Sequence, residues 1–296
     1  MARLLIFANP IAGQGKGKRI ALALQRRLGA QGWKAEVVFE KPGELTDEQI
    51  VKGTKAAIAI GGDGTIRGVA ARLHAAAKKP IPMLIVPMGT ANLLGRHLGI
   101  RWHAETVAEE VAQVLAHHRI IELDAAVANT ELFLLMAGIG LDAQVVHELD
   151  RIRRGPIDYT SYVLPAAMAL AKYRFAPVTV RVDEKVIADE IPAVAFVGNV
   201  REYGTGFAIL PHAVPNDGLL DVCVLPCANP KDLVFHLMRA VTGDHLLAEG
   251  SIYVKGKRVQ VTSEVPVPVQ IDGDAAGYTP LDVDLLGVRL PFIVPK

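Results

Sequence analysis

The stretch GGDGT at 61–65 follows the apolar run AAIAI at 56–60 and wraps three glycines around one aspartate and one threonine. An ordinary turn uses one glycine, or two at most. Between a buried strand and a helix, glycines let backbone N–H groups approach an anion, so Gly61, Gly62, Gly64 and Thr65 form a candidate phosphate floor. The glycines also permit positive φ, where a residue without Cβ is unstrained. Asp63 has no apolar role there, and Thr65 can cap the helix or bond a phosphate oxygen.

Two other strand ends repeat the pattern. NPIAGQGKGK (9–18) sets Gly13, Gly15 and Gly17 beside Lys16 and Lys18 at a helix start, with Asn9 at the strand end. No Ser or Thr follows Lys18, which excludes a Walker loop. Forced into a dinucleotide fingerprint, the loop would use Glu40 as its ribose acid. PMGTANLLGRHLGI (87–100) again gives strand, glycine, threonine and helix, with Gly89 and Thr90 at the turn. Three such turns at one sheet edge suggest a cradle for a nucleotide polyphosphate. Two Asp-Gly pairs stand apart from these loops. QIDGDAAG (270–277) places Asp272 at the end of a β-run, and VPNDGLLD (214–221) carries Asp217. On spacing alone, each reads first as a turn between strands.

These loops need strands and helices to carry them. LLIFA (4–8), EVVF (36–39), AAIAI (56–60) and MLIVP (83–87) are short apolar runs, separated by helical patterns at 19–30, 46–53 and 69–77. That alternation implies a parallel sheet with crossover helices. Thr46 is the expected cap of the second helix, and 103–118 is a fourth helical stretch. From about residue 120 the pattern becomes β-rich, with valine-rich runs at 176–182, 191–198, 219–225, 258–262, 265–271 and 281–294. Only 158–175 and 230–241 read as helices in this half.

The chain has 296 residues, 51% of them hydrophobic and 21% charged, so a sizeable core is expected. A net charge of +1 gives no global nucleic-acid footprint. Cys223 and Cys227 have no companion Cys or His set at zinc-like spacing and read as ordinary thiols. No signal peptide is expected, because MARLLIFANP turns polar too soon, and no apolar run reaches about 20 residues. A cytoplasmic protein is expected, with peripheral contact at the inner membrane surface. Oligomeric state is not readable.

Together the ordered segments resemble the diacylglycerol kinase catalytic family, in its soluble bacterial lipid kinase branch. The resemblance rests on NPIAGQGKGK, GGDGT and PMGTAN with the later LGI. It continues in IELDAAVAN (121–129), AGIGLDAQV (137–145), LPHAVPNDGLLDV (210–222) and QIDGDAAG, in that order. It implies an α/β nucleotide-binding domain with a parallel sheet over 1–122, completed by roughly 287–296. A C-terminal β-sandwich domain for the lipid substrate would span 123–286, with ATP and lipid meeting between the two.

The same resemblance implies an ATP- and Mg²⁺-dependent transfer of the γ-phosphoryl group to a lipid hydroxyl, of diacylglycerol or a similar lipid. Asn9, Lys16, Gly61, Gly62, Asp63, Gly64, Thr65, Gly89 and Thr90 would bind ATP. Asp272 would be the general base and Asp274 its assistant, one methylene shorter than the family's usual Glu. A structural Mg²⁺ would be held by the Asp217 carboxylate and the carbonyls of Val214 and Leu219. Asp63 and Asp124 would hold the nucleotide's Mg²⁺ through water.

The chain departs from the family pattern at Arg67, Gly68, Leu93 and Val38. These departures keep open a catalytically weakened regulator that binds nucleotide or lipid. A kinase for NAD or another soluble alcohol is the rival enzyme, because GGDGT is shared with such kinases. A Rossmann oxidoreductase is the weakest alternative. For the lipid, the apolar stretch 164–175 with Lys172 and Arg174, and the basic DRIRRG (150–155), form one candidate membrane contact; a core helix with a solvated basic turn is the other reading. The loop 199–211 would cover the substrate.

Overall fold

The computed structural model describes residues 2–10, 12–13, 15–152, 173–204 and 207–296. Two compact units divide the chain: Met1–Leu123 with Val288–Lys296, and Asp124–Gly287.

In the first unit, β1 (Arg3–Ala8), β2 (Lys34–Val38), β3 (Thr54–Gly61) and β4 (Met83–Pro87) run parallel in the order β2-β1-β3-β4. Leu4 to Phe7 and Ala57 to Ile60 are almost wholly buried, as strands covered on both faces must be. Helices α1 (Lys16–Ala30) and α5 (Val107–Ala116) set Ile20, Leu24, Leu28, Val111 and Leu115 against Leu4, Ile6, Ile58, Ile60 and Leu84. Helix α3 (Asp63–Ala76) buries Ile66, Val69, Ala70 and Leu73, an i, i+3, i+4, i+7 stripe. Helix α2 (Asp47–Val51) begins with a capping box: Gln49 N–H donates to Thr46 Oγ1, and Thr46 N–H donates to Gln49 Oε1.

The expected helix over 103–118 is shorter than its pattern. It ends at Ala116, and His118–Leu123 form the strand β5. The last strand, β17 (Leu290–Pro295), lies between β4, to which it is parallel, and β5, to which it is antiparallel. The C-terminal residues thus complete the N-terminal sheet.

The second unit is mostly antiparallel. One sheet holds β6 (Ala126–Ala128), β7 (Glu131–Phe133), β9 (Pro177–Val182), β13 (Arg258–Thr262) and β16 (Leu281–Leu285). The other holds β8 (Met136–Ile139), β11 (Leu220–Pro226), β12 (Ile252–Gly256), β14 (Pro268–Ile271) and β15 (Asp274–Tyr278). The long strand β10 (Lys185–Gly198) belongs to both: its first half pairs with β9, its second with β8 and β11. Register shifts near Ala188 mark where it bends. Val180, Val261 and Val283 of one sheet share a core with Ala195, Val222 and Val269 of the other. The two helices of this unit among the described residues are α6 (Leu141–Ile152) and α7 (Pro230–Thr242). The expected apolar helix over 158–175 and the basic 153–155 lie outside the described residues, apart from Tyr173, Arg174 and Phe175.

Candidate functional site

The strand order reverses between β1 and β3, because β1 connects to β2 on one side and β3 to β4 on the other. Open α/β sheets take ligands at the carboxyl ends of strands beside such a reversal. All three glycine loops end there. Asn9 N–H donates to Ile60 O at 3.0 Å, and Met88 N–H to Gly61 O at 2.8 Å, so loop follows loop along the edge.

The glycines serve closeness more than left-handed backbone. Gly62 is extended at φ −81° and Gly64 lies within α3, so the positive φ that glycine permits is not used at these positions. Instead, a Cβ on Gly61 would stand 2.5 Å from Thr65 Cβ, and one on Gly89 would stand 2.9 Å from Gly62 Cα. A Cβ on Gly17 would stand 2.5 Å from Asn9 O. Only residues without side chains allow these approaches. In the first loop glycine does take left-handed backbone, with Gly13 at φ 57° and Gly15 at φ 85°. Thr65 is the third residue of α3 and does not cap it; Gly62 takes the cap position.

Helix α1 opens with Gly15 at its cap, no side-chain cap and no acid in its first turn. Lys16 and Lys18 flank that end exposed to solvent, with Lys18 Nζ 5.9 Å from the Phe39 ring centre. A helix start with these features favours an anion. Thr90 is also exposed, at the turn after β4.

Asp63 has a partner that its motif does not reveal. Its Oδ2 accepts the Leu93 N–H at 3.1 Å and its Oδ1 the Leu94 N–H at 3.3 Å, the first amides of α4 (Leu93–His97). Asn92, at φ 49°, closes the turn ahead of them. Its Oδ1 accepts the Gly89 N–H at 2.7 Å and its Nδ2 donates to Gly89 O at 2.8 Å.

In the second unit, Asp272 and Gly273 are the two residues of the β14–β15 hairpin turn, at φ 50° and 86°. Two successive positive φ values are the mark of a type I′ turn, so the turn reading of QIDGD holds. The carboxylate does more than shape the turn. Oδ2 accepts the Leu134 N–H, and Oδ1 accepts those of Leu135 and Met136, all at 3.0 Å. Three of its roughly four acceptor positions are thereby occupied and its direction is fixed. Asp274 opens β15, half-buried, opposite Ile271.

Asp217 meets a cation of the chain itself. Its Oδ1 accepts the Leu219 N–H at 3.0 Å and its Oδ2 is 2.8 Å from Lys255 Nζ. Lys255 also reaches Asp221 Oδ2 at 3.4 Å and donates to His212 O at 3.1 Å, while Tyr253 donates to Asp221 Oδ1 at 2.6 Å. Burial alone would lower the Lys255 pKa, but the bond to Asp217 and the charge of Asp221 outweigh it and raise it. Burial lifts the Asp221 carboxyl above its usual range, opposed by Tyr253 and Lys255. A lysine ammonium on Asp217 does not suit the Mg²⁺ set of Asp217, Val214 and Leu219. The Val214 carbonyl instead accepts the Asp217 N–H at 3.3 Å. Among the described residues there is no group of three or more His, Cys, Asp or Glu side chains placed to hold a metal.

Asp124 is buried, with Oδ2 accepting the Gly218 N–H at 2.6 Å and its carbonyl accepting Asn199 Nδ2 at 2.6 Å. Cys223 and Cys227 are buried apart from any bridge, and burial pushes both thiols up to about 12. Among the described residues no helix is long and apolar enough to cross a membrane.

Comparison with known proteins agrees with this architecture. Residues 3–128 match the diacylglycerol kinase catalytic domain, and residues 136–294 match the YegS C-terminal NAD kinase beta sandwich-like domain. A diacylglycerol kinase of Bacillus subtilis is 26% identical over 100% of this chain and 97% of its own length. A diacylglycerol kinase of Mycobacterium tuberculosis is 27% identical over 100% and 96%. A solved structure of a diacylglycerol kinase from Bacillus anthracis str. Sterne, 22% identical, superposes with a TM-score of 0.69 over 100% of this chain and 97% of that one. The fold and the paired domains define a kinase class. The chain belongs to the diacylglycerol kinase family within it.

The motifs mark Asp63, Asp217 and Asp272 but not the groups that hold them. No spacing marks Lys255, and the segments AGIGLDAQV and QIDGDAAG contain Asp142 and Gln270 without distinguishing them.

Proposed function

We propose that this protein is an ATP- and Mg²⁺-dependent lipid kinase that phosphorylates the hydroxyl of diacylglycerol or a similar lipid. The observation that carries the reading is the set of glycine-only contacts at the ends of β1, β3 and β4, with the uncapped start of α1 beside them. The choice of a lipid acceptor is supported by relatives of nearly equal length that are named diacylglycerol kinases.

Asn9, Lys16, Gly61, Gly62, Asp63, Gly64, Thr65, Gly89 and Thr90 would form the ATP site. Backbone amides would hold the phosphates and Lys16 would neutralise them. Mg²⁺ bound with ATP would spread the remaining charge. Asp63 and Asp124, both fixed by backbone amides, would meet it through water. In the transfer, the lipid hydroxyl oxygen bonds to the γ-phosphorus while the bond from that phosphorus to the β–γ bridging oxygen breaks. ADP leaves with that electron pair, and Asp272 takes the hydroxyl proton, assisted by Asp274. Peripheral contact with the inner membrane surface, where such a lipid resides, is part of this proposal.

The test is transfer of label from γ-labelled ATP, with Mg²⁺, to a panel of diacylglycerol, sphingosine and NAD, the lipids in mixed micelles. Labelled phosphatidic acid is the expected product. Label on NAD alone would move the protein to soluble-alcohol kinases, and binding of ATP without transfer would make it a regulator.

A further inference from the structure

Gly138 lies directly opposite Gln270 in the antiparallel pairing of β8 and β14. Side chains of such a pair stand on one face of the sheet. Gly138 has none, and a Cβ there would collide with Asp142 Oδ2 and Gln270 Nε2. The vacated place is filled by Asp142 from the first turn of α6, reached through Gly140 at φ 119°. Gln270 is 1% exposed and is held at both ends: Nε2 donates to Asp142 Oδ2 in a long 3.5 Å bond, and Oε1 accepts the Gly273 N–H at 2.9 Å.

An ionised carboxylate only accepts, so Asp142 selects the NH₂ end of the Gln270 amide. The carbonyl end is thereby turned to the hairpin, where it receives the one amide between Asp272 and Asp274. We infer that Asp142 and Gln270 are positioning residues that lock the Asp272–Gly273 turn, and so the direction of the Asp272 carboxylate, for proton abstraction. The inference rests on the lipid-kinase reading. Two further observations support it. Asp142 Oδ1 is closed to solvent and has no hydrogen-bond partner among the described residues, and burial raises the carboxyl to about 6 despite bonds from Ala143, Gln270 and Tyr203. A group kept in so poor a setting for its own charge is characteristic of a functional site.

The experiment compares the parent with Asp142→Asn, Gln270→Leu and the double variant, using dioleoylglycerol in mixed micelles and MgATP. Two readouts are taken: kcat and KM for both substrates, and hydrogen exchange at the Gly273 amide. Asp142→Asn is nearly isosteric and guards against loss of folding in Gln270→Leu. The expected result is a kcat lower by roughly 10- to 100-fold in each single variant, with KM within about twofold and faster Gly273 exchange. The double variant should be no slower than the worse single, since both act through one linkage. Folded variants with parental kcat, losses that multiply, or unchanged Gly273 exchange would overturn the inference. A parent that phosphorylates no lipid would instead overturn the lipid-kinase reading, and the catalytic role of the pair with it.

Discussion

The carboxylate of Asp63 receives the main-chain N–H of Leu93, 30 residues away, at 3.1 Å, and that of Leu94 at 3.3 Å. The carboxylate of GGDGT therefore satisfies the first two amides of α4 from a separate loop, while Asn92 holds the cap position itself. A five-residue helix has too few internal hydrogen bonds to form alone, so a charged acceptor at its start matters more than usual.

Asp63→Ala should lower the stability of the ligand-free protein by about 1 kcal/mol, the usual loss for a helix cap, and should also weaken MgATP binding. Thermal melts with and without nucleotide measure both effects. An unchanged ligand-free Tm would mean that Asp63 serves the ligand alone.

Gly89→Ala brings a methyl group to 2.9 Å from Gly62 Cα, main chain against main chain, where no flexible group can yield. The loops must separate, so affinity for ATP should fall by about tenfold or more, an effect on the order of 1–3 kcal/mol as for overpacking elsewhere. Gly68→Ala, whose Cβ would meet open space, is the control and should bind ATP as the parent does. Equal binding by both variants would show that the close approach is dispensable.

Lys255→Met would leave Asp217 and the 1% exposed Asp221 without their ammonium. The pair is partly buried, so the loss should fall between surface and buried ion pairs, at about 2 kcal/mol. Because Lys255 already neutralises the VPNDGLLD turn, EDTA should leave the parent Tm unchanged. A Tm that drops in EDTA and recovers with Mg²⁺ would reinstate a resident metal at Asp217.

The Asp142 carboxyl, raised to about 6 by burial, predicts a pH signature of unusual sign. Its pKa is higher folded than unfolded, so the native state binds the extra proton between about pH 4 and pH 6. Stability attributable to this group therefore falls as pH rises through that window and stays low above it, by about 2–3 kcal/mol. Asp142→Asn should raise the Tm at pH 7.5 and match the parent near pH 4. Gln270, Tyr203 and the nearby Tyr173 are its neighbours, and burial raises the Tyr173 hydroxyl above its ordinary value, away from this window. A lower Tm for the variant at pH 7.5 would contradict the unfavourable setting of the charge.

Much of the first unit was legible because its strands are continuous apolar runs and its loops are marked by glycine. The Thr46 cap and the three convergent turns could be read from spacing, whereas α1 and α3 begin three and six residues before the patterns at 19–30 and 69–77. The short strands at 126–128, 131–133 and 136–139 could not: they are three or four residues long and alternate weakly. Nor could the partners of the acids. Asp63 binds amides 30 residues on, Asp272 binds amides more than 130 residues back, and Lys255 crosses from a neighbouring strand, contacts that only the fold brings together. In GGDGT the glycines serve close approach of backbones, and the positive φ they permit goes unused.

The proposed function turns on Asp272 abstracting the proton of a lipid hydroxyl for transfer of the γ-phosphoryl group. The most direct measurement is the turnover of dioleoylglycerol with MgATP by the parent and by Asp272→Asn, with ATP binding measured on both. Phosphatidic acid is expected from the parent, with a rate lower by roughly 10²–10⁴-fold in Asp272→Asn and similar ATP affinity. Turnover by Asp272→Asn at the parental rate would contradict that role.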